Sequence, residues 1–294
     1  MGPDYDAHRI TYRENVMLAV QEQKDQFGDS FSPIGKVTGK QLQIVDLIGE
    51  MEARQDAPEG GDTPDIDAMH EPVWVRPTRL DWGKIIKEED VIKALTDFKS
   101  EYVQGGVKAI IRKKNRILAN ALFGNRLIGN EVPVSTPWAG SSVPVDLEAP
   151  GTPSRMSVAK LNRAIRNLED AHIDIDSEEL YLALNPQQNE ELYTDITFTS
   201  KDYRTEAKYD ERRVKSIMGI PILSTKNITS GSGTVSWGAL YCKSGMHWGP
   251  AMPLTVQSSP NPAKQYREHP YIEHWIAASR SEDVKVVKIL TKLA

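Results

Sequence analysis

The chain has 294 residues, 36 of them basic and 41 acidic, for a net charge of −5. That length suits one large domain or two modest ones, and the acidic balance argues against a wholly basic nucleic-acid binder while leaving room for a local patch. A single cysteine, Cys242, excludes an intrachain disulfide and a zinc site with two or more cysteine ligands. Residues 1–20 lack the apolar stretch of a secretory signal, and no run reaches the roughly 18 apolar residues of a membrane helix. The expectation is a soluble protein made in the cytoplasm. Its apolar share, 39%, is a little low, which suits an extended molecule or one whose apolar surface is completed by partners.

Residues 1–34 are polar with scattered apolar positions, among them Phe27, Phe31 and Ile34. They read as a loosely ordered terminus or as an arm that orders on a neighbour. Leu42 to Ile48 alternate as Leu42/Ile44 and then Val45/Leu47, a strand with a bulge or slip. From Asp46 to Glu71 nine acids face Arg54 alone, and Pro and Gly punctuate the run. Val73 to Arg76 then return as a short strand between Pro72 and Pro77. Two strands joined by a long charged excursion describe a protruding hairpin that needs a function or a partner.

Val91, Ile92, Leu95 and Phe98 have helical spacing, and Ser100 is a candidate cap for the next segment. Val107, Ile110, Ile111, Leu118, Ala121 and Leu122 form one face of a long helix ending at Gly124, with a bend or break expected at Gly105-Gly106. Residues 125–153, rich in Pro and Gly, read as a connector. A second helix is expected over 155–171, a buried strand over 179–184, and a short helix after Asn185-Pro186. Ile217 to Leu223 read as a strand interrupted by Pro221, Gly231 to Gly233 as a turn, and Ser236 to His247 as a further helix. Trp275–Ala278 and Val284–Leu290 read as a closing hairpin. No internal repeat is present. Separate runs of strands and helices give the α+β class.

Ser157-Val158-Ala159-Lys160 and Lys243-Ser244-Gly245 imitate two elements of a serine acyl-transfer site, but the third is missing. A helix cap and a surface lysine are the simpler account. Asp174 to Glu179 resemble the start of a calcium loop but lack its glycine and its closing glutamate, so a capping turn is expected. The histidines show no metal-binding spacing and are assigned to the surface. Lys108, Arg112, Lys113, Lys114 and Arg116 form a cationic face suited to hydration, with phosphate contact as its sharper reading. The six tryptophans are dispersed and read as core or interface anchors. No nucleophile, base and oxyanion site converge, so the chain is not expected to be an enzyme. No cofactor or metal is called for.

The order of elements resembles tailed-bacteriophage major capsid proteins of the Hong Kong 97-like fold. Pro72 to Gly83 followed by Glu89 to Ile92 resemble the return of that family's extended loop. Ser100 to Val103, Lys113 to Arg116 and Leu118 to Gly124 are similar to its spine helix. Leu180 to Gln188, Thr199 to Tyr203 and Ser216 to Ile222 fit its later stretch. The resemblance implies an N-terminal arm over 1–34, an extended β-hairpin loop over 35–80 and a peripheral domain with the spine helix over 81–153. It further implies an axial domain over 154–255 and closing strands of the peripheral domain over 256–294. It implies pentamers and hexamers of the chain tiling an icosahedral shell around phage double-stranded DNA, in a virion assembled in the host cytoplasm. Partners would be other copies, a separate scaffolding protein, a portal and candidate decoration proteins, with no membrane. Phe31, Arg54, Asp56, Trp74, Arg76, Arg79 and Trp82 are the candidate subunit-interface residues. No lysine–asparagine crosslink is expected. The alternatives are an encapsulin-like compartment, which shares the fold but holds enzyme cargo, and a nucleic-acid-binding protein.

Overall fold

The computed structural model describes residues 25–49, 70–85, 99–130, 132–195, 215–228, 235–262 and 265–292. It is α+β, with three sheets around one long helix. The hairpin expected from the sequence is present: β2 (Leu42–Ile48) pairs antiparallel with β3 (His70–Val75). The slipped alternation is real, because the register shifts between Gln43 and Val45. The presumed connector contributes two short strands, β5 (Arg126–Ile128) and β6 (Val134–Thr136), which widen this sheet to the order β2-β3-β5-β6. Strands of three residues are too short to leave a periodic signal. The acidic excursion at 50–69 lies outside the described residues.

Helix α1 (Lys99–Phe123) is 25 residues of unbroken helix, about 37 Å at 1.5 Å per residue. Ser100 is the second residue of this helix, and the helical stretch expected at 90–98 lies outside the described residues. No break occurs at Gly105-Gly106. Gly106 instead lets the helix approach β4 (Thr78–Gly83) and β13 (Arg267–Arg280) closely. A Cβ there would lie 2.6 Å from Ile272 Cδ1 and nearer still to the Trp82 ring. The helix ends where expected, with the Gly124 N–H donating to the Asn120 carbonyl at 2.7 Å.

Beneath α1 lies a sheet of order β1-β12-β13-β4, with β1 (Ser32–Pro33) parallel to β12 (Met246–Asn261). This pairing corrects the loose-terminus reading for residues 25–34. Phe27 and Phe31 are buried in their own chain, and Ser30 bonds the Tyr241 hydroxyl at 2.7 Å. Asp25 pairs with Lys114 of α1, whose ammonium also sits 3.7 Å from the centre of the Trp248 ring.

The third sheet has the order β7-β14-β11-β8-β10-β9, with β8 (Leu180–Leu184) at its centre. It is flanked by α2 (Val158–Glu169) and α3 (Pro186–Thr194). The start signal of α3 works as read: Asn185 and Gln188 form a reciprocal capping box, with proline in the first turn. Three expectations fail here. Residues 235–242 are strand β11 and 243–245 a 3-10 turn, not a helix. A run buried on both faces has no period that distinguishes the two. Residues 216–224 are two strands, β9 (Ser216–Ile217) and β10 (Ile220–Ser224), turned by Met218 and Gly219 at φ 51° and 79°. Lastly, β13 and β14 (Val286–Lys292) do not form a hairpin: β13 pairs with β12 and β4, while β14 pairs with β11 and β7 (Ser142–Val143). The chain crosses between sheets at 281–285.

Replacing Gly106 with alanine should therefore destabilise the subunit by about 1–3 kcal/mol through overpacking, despite alanine's better helix propensity. Urea denaturation of the unassembled chain checks this; a neutral or stabilised variant would contradict the close packing.

Candidate assembly surfaces

The acyl-transfer imitation dissolves in the structure. Lys160 is fully buried rather than on the surface, and its ammonium donates to the carbonyls of Val145, Ser154 and Leu290 at 3.0, 2.9 and 2.9 Å. Burial lowers its pKa to about 8. Its role is to tie the connector to the last strand. Ser157 stands at the N-cap of α2 but makes no side-chain cap bond. Lys243 pairs with Glu179 at 2.8 Å, and Ser244 donates to Glu178 at 2.7 Å. The Asp174 carboxylate accepts the Asp176 N–H at 3.2 Å, the local turn expected of that stretch. No cluster of three or more metal-ligating side chains occurs among the described residues.

His274 departs from the surface assignment: it is 8% exposed, its ring bonds the Met252 carbonyl at 2.9 Å, and burial holds its pKa below the ordinary imidazole value. The cationic face on α1 is also smaller than the sequence suggests. Lys114 turns inward to Asp25 and Trp248, while Lys113 and Arg116 remain exposed.

The candidate interface residues divide by environment. Phe31 is 1% exposed and packs edge-on against Tyr241, so its apolar surface is consumed within its own chain. Trp74 donates its Nε1 hydrogen to the Gly129 carbonyl at 2.7 Å, which locks β3 to the turn after β5. Trp82 packs under α1. Arg76 is exposed. Arg79, also exposed, pairs with Glu273 at 3.1 Å and donates to the Tyr271 hydroxyl at 2.6 Å. Arg54 and Asp56 lie outside the described residues.

The structure adds a junction that the sequence did not suggest. Arg280 at the end of β13 is 1% exposed and pairs with Asp283. It also donates to the Gly124 carbonyl just past α1 and, at 3.4 Å, to that of Ala121. The last turn of α1 holds no basic residue of its own, so Arg280 supplies the cation that a helix C-terminus favours. Burial lowers the Arg280 pKa, and Asp283 opposes that shift. The same carboxylate faces Arg126 of β5 at 3.5 Å. Arg126 in turn donates to the Ser281 carbonyl at 2.6 Å and lies 3.8 Å from Glu71 of β3, toward the loop end of the hairpin. Nearby, the Lys288 ammonium lies 4.8, 5.4 and 5.7 Å from the ring centres of Phe123, Trp138 and Trp237. The only sequence signal was an arginine and an aspartate three residues apart after an apolar strand, which equally suits a hairpin turn.

Apolar side chains remain uncovered at the periphery. Val132 and Val134 beside the hairpin are 79% and 63% exposed. Met252, Leu254 and Val256 of β12 are 36%, 41% and 45% exposed. Beyond the short pairing with β1, β12 pairs with no strand other than β13 among the described residues. Exposed apolar edge strands are normally covered by a partner.

A helix end capped by Arg280, a widened hairpin sheet and uncovered apolar edges suit a subunit that packs against others. The chain belongs to the phage capsid protein family, which matches it over residues 6–292. It is a major capsid protein of the virion shell, with the Hong Kong 97-like fold. No curated protein matches it. Among solved structures, the capsid of the cyanophage P-SCSP1u has a TM-score of 0.70 at 14% identity, covering 97% of this chain and 92% of that one. The cyanophage Pam1 capsid gives 0.69 at 14% identity with both chains fully covered at 100%. The capsid of Ralstonia phage GP4 gives 0.68 at 11%, over 100% and 98%.

Asp283→Ala should cost the unassembled subunit about 3–5 kcal/mol, because it leaves two buried guanidinium groups sharing no carboxylate. Asp170→Ala, which removes an exposed pair with Arg166, should cost less than about 1 kcal/mol. Chemical denaturation of both variants checks the contrast, and equal losses would contradict it.

Proposed function

We propose that copies of this chain form pentamers and hexamers that close into an icosahedral shell around packaged phage double-stranded DNA. The role is structural, with no catalysis. The observation that carries this reading is the hairpin β2–β3. Its strand β3 is held by Trp74 and by pairing with β5, while β2 stands at the edge of the sheet with no strand on its outer side among the described residues. Laid across a neighbour, it would find apolar cover at the Met252–Val256 edge. In this reading residues 1–34 are the arm, 35–80 the extended loop, 81–153 with 256–294 the peripheral domain, and 154–255 the axial domain. Arg54, Asp56, Arg76 and Arg79 set register between copies. Such exposed pairs contribute about 0–1 kcal/mol each and act mainly on specificity. Assembly takes place in the host cytoplasm with a separate scaffolding protein, a portal and decoration proteins as further partners.

Expression with the neighbouring genes, followed by negative-stain microscopy, light scattering and nuclease treatment, tests the proposal. Closed shells holding nuclease-protected DNA are the expected result. A compact monomer under every co-expression condition would overturn it, and shells filled with an enzyme would replace it with the encapsulin-like alternative.

A further inference from the structure

Helix α1 carries six basic residues and one acidic one, in a chain whose net charge is −5. Its apolar side is spent on the sheet beneath, where Val103, Val107 and Ile110 pack with Leu80, Ile272 and Ile276. Lys108, Arg112 and Arg116 follow at four-residue spacing and form one row on the other side of the helix. Lys113 flanks that row. Lys113 and Arg116 are exposed, and Lys108 and Arg112 are half-buried. Lys114 turns inward to Asp25, but Lys108, Lys113 and Arg116 have no ion-pair partner among the described residues. Like charges four residues apart destabilise a helix, so the row is not explained by the fold of one copy.

The opposite face of the same sheet has a different balance. Side chains alternate along β13, so Glu273 and Trp275 point away from α1, with Asp81 and Arg79 of β4 beside them in register. Arg79 is taken up by Glu273, and Asp81 is exposed. The hairpin sheet lies on this side, because Val75 packs with Ala277, whose neighbour Ile276 faces α1. Lys36, Lys40 and Arg76 at the foot of the hairpin are outnumbered by the nine acids between Asp46 and Glu71. One copy thus carries unmatched positive charge on its α1 side and an acid-rich hairpin behind the sheet.

With the sheet lying along a shell, rotation about a ring axis keeps the α1 side of every copy on one surface and every hairpin on the other. Neighbouring hairpins then do not neutralise the row. The remaining polyanion is the packaged nucleic acid. From Lys108 to Arg116 the row spans about 12 Å at 1.5 Å per residue. Over that length duplex DNA presents about seven phosphate charges. The reverse orientation would set the acid-rich side against the DNA and leave the cations to solvent.

We infer that the α1 face bearing Lys108, Arg112, Lys113 and Arg116 lines the shell interior and contacts the phosphate backbone of the packaged double-stranded DNA. The inference rests on the shell-subunit reading and names the residues that meet the cargo. Contacts to phosphate carry no base information, so the face accepts any sequence.

Formaldehyde treatment of filled particles, with DNA-linked peptides mapped by mass spectrometry, tests the contact at the two lysine amines. DNA links within residues 108–116 are expected, and links confined to other segments would overturn the inference. Carbodiimide treatment of the same particles is the contrasting arm. Bonds from Lys108 or Lys113 to carboxylates of a second copy would assign the face to a subunit contact and overturn it. The unassembled chain supplies a third readout, with the triple variant Lys108→Gln, Lys113→Gln, Arg116→Gln melting no lower than the wild type. Its slope of log affinity for a short random-sequence duplex against log salt should be shallower by about 2.7, for three lost cations. Equal slopes would overturn the inference. Chains that never form shells, or shells that hold no DNA, would sink the shell reading instead, so the two failures are distinct.

Discussion

Asp283 is the constraint on which the fold turns. One carboxylate, 12% exposed, stands between the guanidinium groups of Arg280 and Arg126. Each of those groups reaches a different part of the molecule. Arg280 closes the end of the long helix, and Arg126 reaches β3 of the hairpin through Glu71. Asp283 itself lies on the crossing that carries the chain from the sheet under α1 to the six-stranded sheet. The energetics of such a group are asymmetric. A complete buried cluster adds little over an apolar substitute, whereas losing its central charge strands the rest. The junction therefore acts less as a source of stability than as a fixer of geometry, setting where helix, hairpin and sheet meet.

The contacts around that junction work to the same end. Lys288 lies among Phe123, Trp138 and Trp237, one aromatic from the helix end, one from the connector and one from β11. Gly140 passes so close to the Asp283 carbonyl that a side chain there would collide with it. At the opposite flank, residues 25–34 are strapped down by Asp25, by the paired Phe27 and Phe31, and by the Trp248 Nε1 hydrogen donated to the Gly28 carbonyl at 3.0 Å. The interior is thus closed within one copy. Among the described residues, exposed apolar side chains on edge strands are Ile48 on β2, Val134 on β6, and Met252, Leu254 and Val256 on β12. A shell subunit needs this division, because a rigid body must present its adhesive edges at fixed angles for rings to close.

Local chemistry was legible in the sequence where a single residue type determines it. The slip in β2 followed from its broken alternation, the start of α3 from Asn185-Pro186, and the end of α1 from Gly124. What could not be read depended on distant partners. Gly106 looked like a break, because only the Trp82 ring across the interface shows why a side chain is absent. Strand β11 looked helical, because burial on both faces removes the period. Strands β13 and β14 looked like a hairpin, since a short polar link does not reveal that its aspartate holds two arginines. Lys160 looked exposed by type, and only the three carbonyls around it account for its burial. Of the interface candidates, Phe31 was misread because an aromatic anchor looks the same whether it docks on its own chain or on a neighbour.

Central to the assembly is a hairpin, tied to the Asp283 junction through Glu71, that reaches onto an adjacent copy. A cryo-electron microscopy reconstruction of assembled particles, at a resolution that traces each chain, tests it most directly. The account predicts that β2 and β3 of every copy lie against the β12 edge of a neighbour, with Arg126 still bridging Glu71 and Asp283. A hairpin folded back over its own subunit, with Met252 to Val256 left bare, would contradict it.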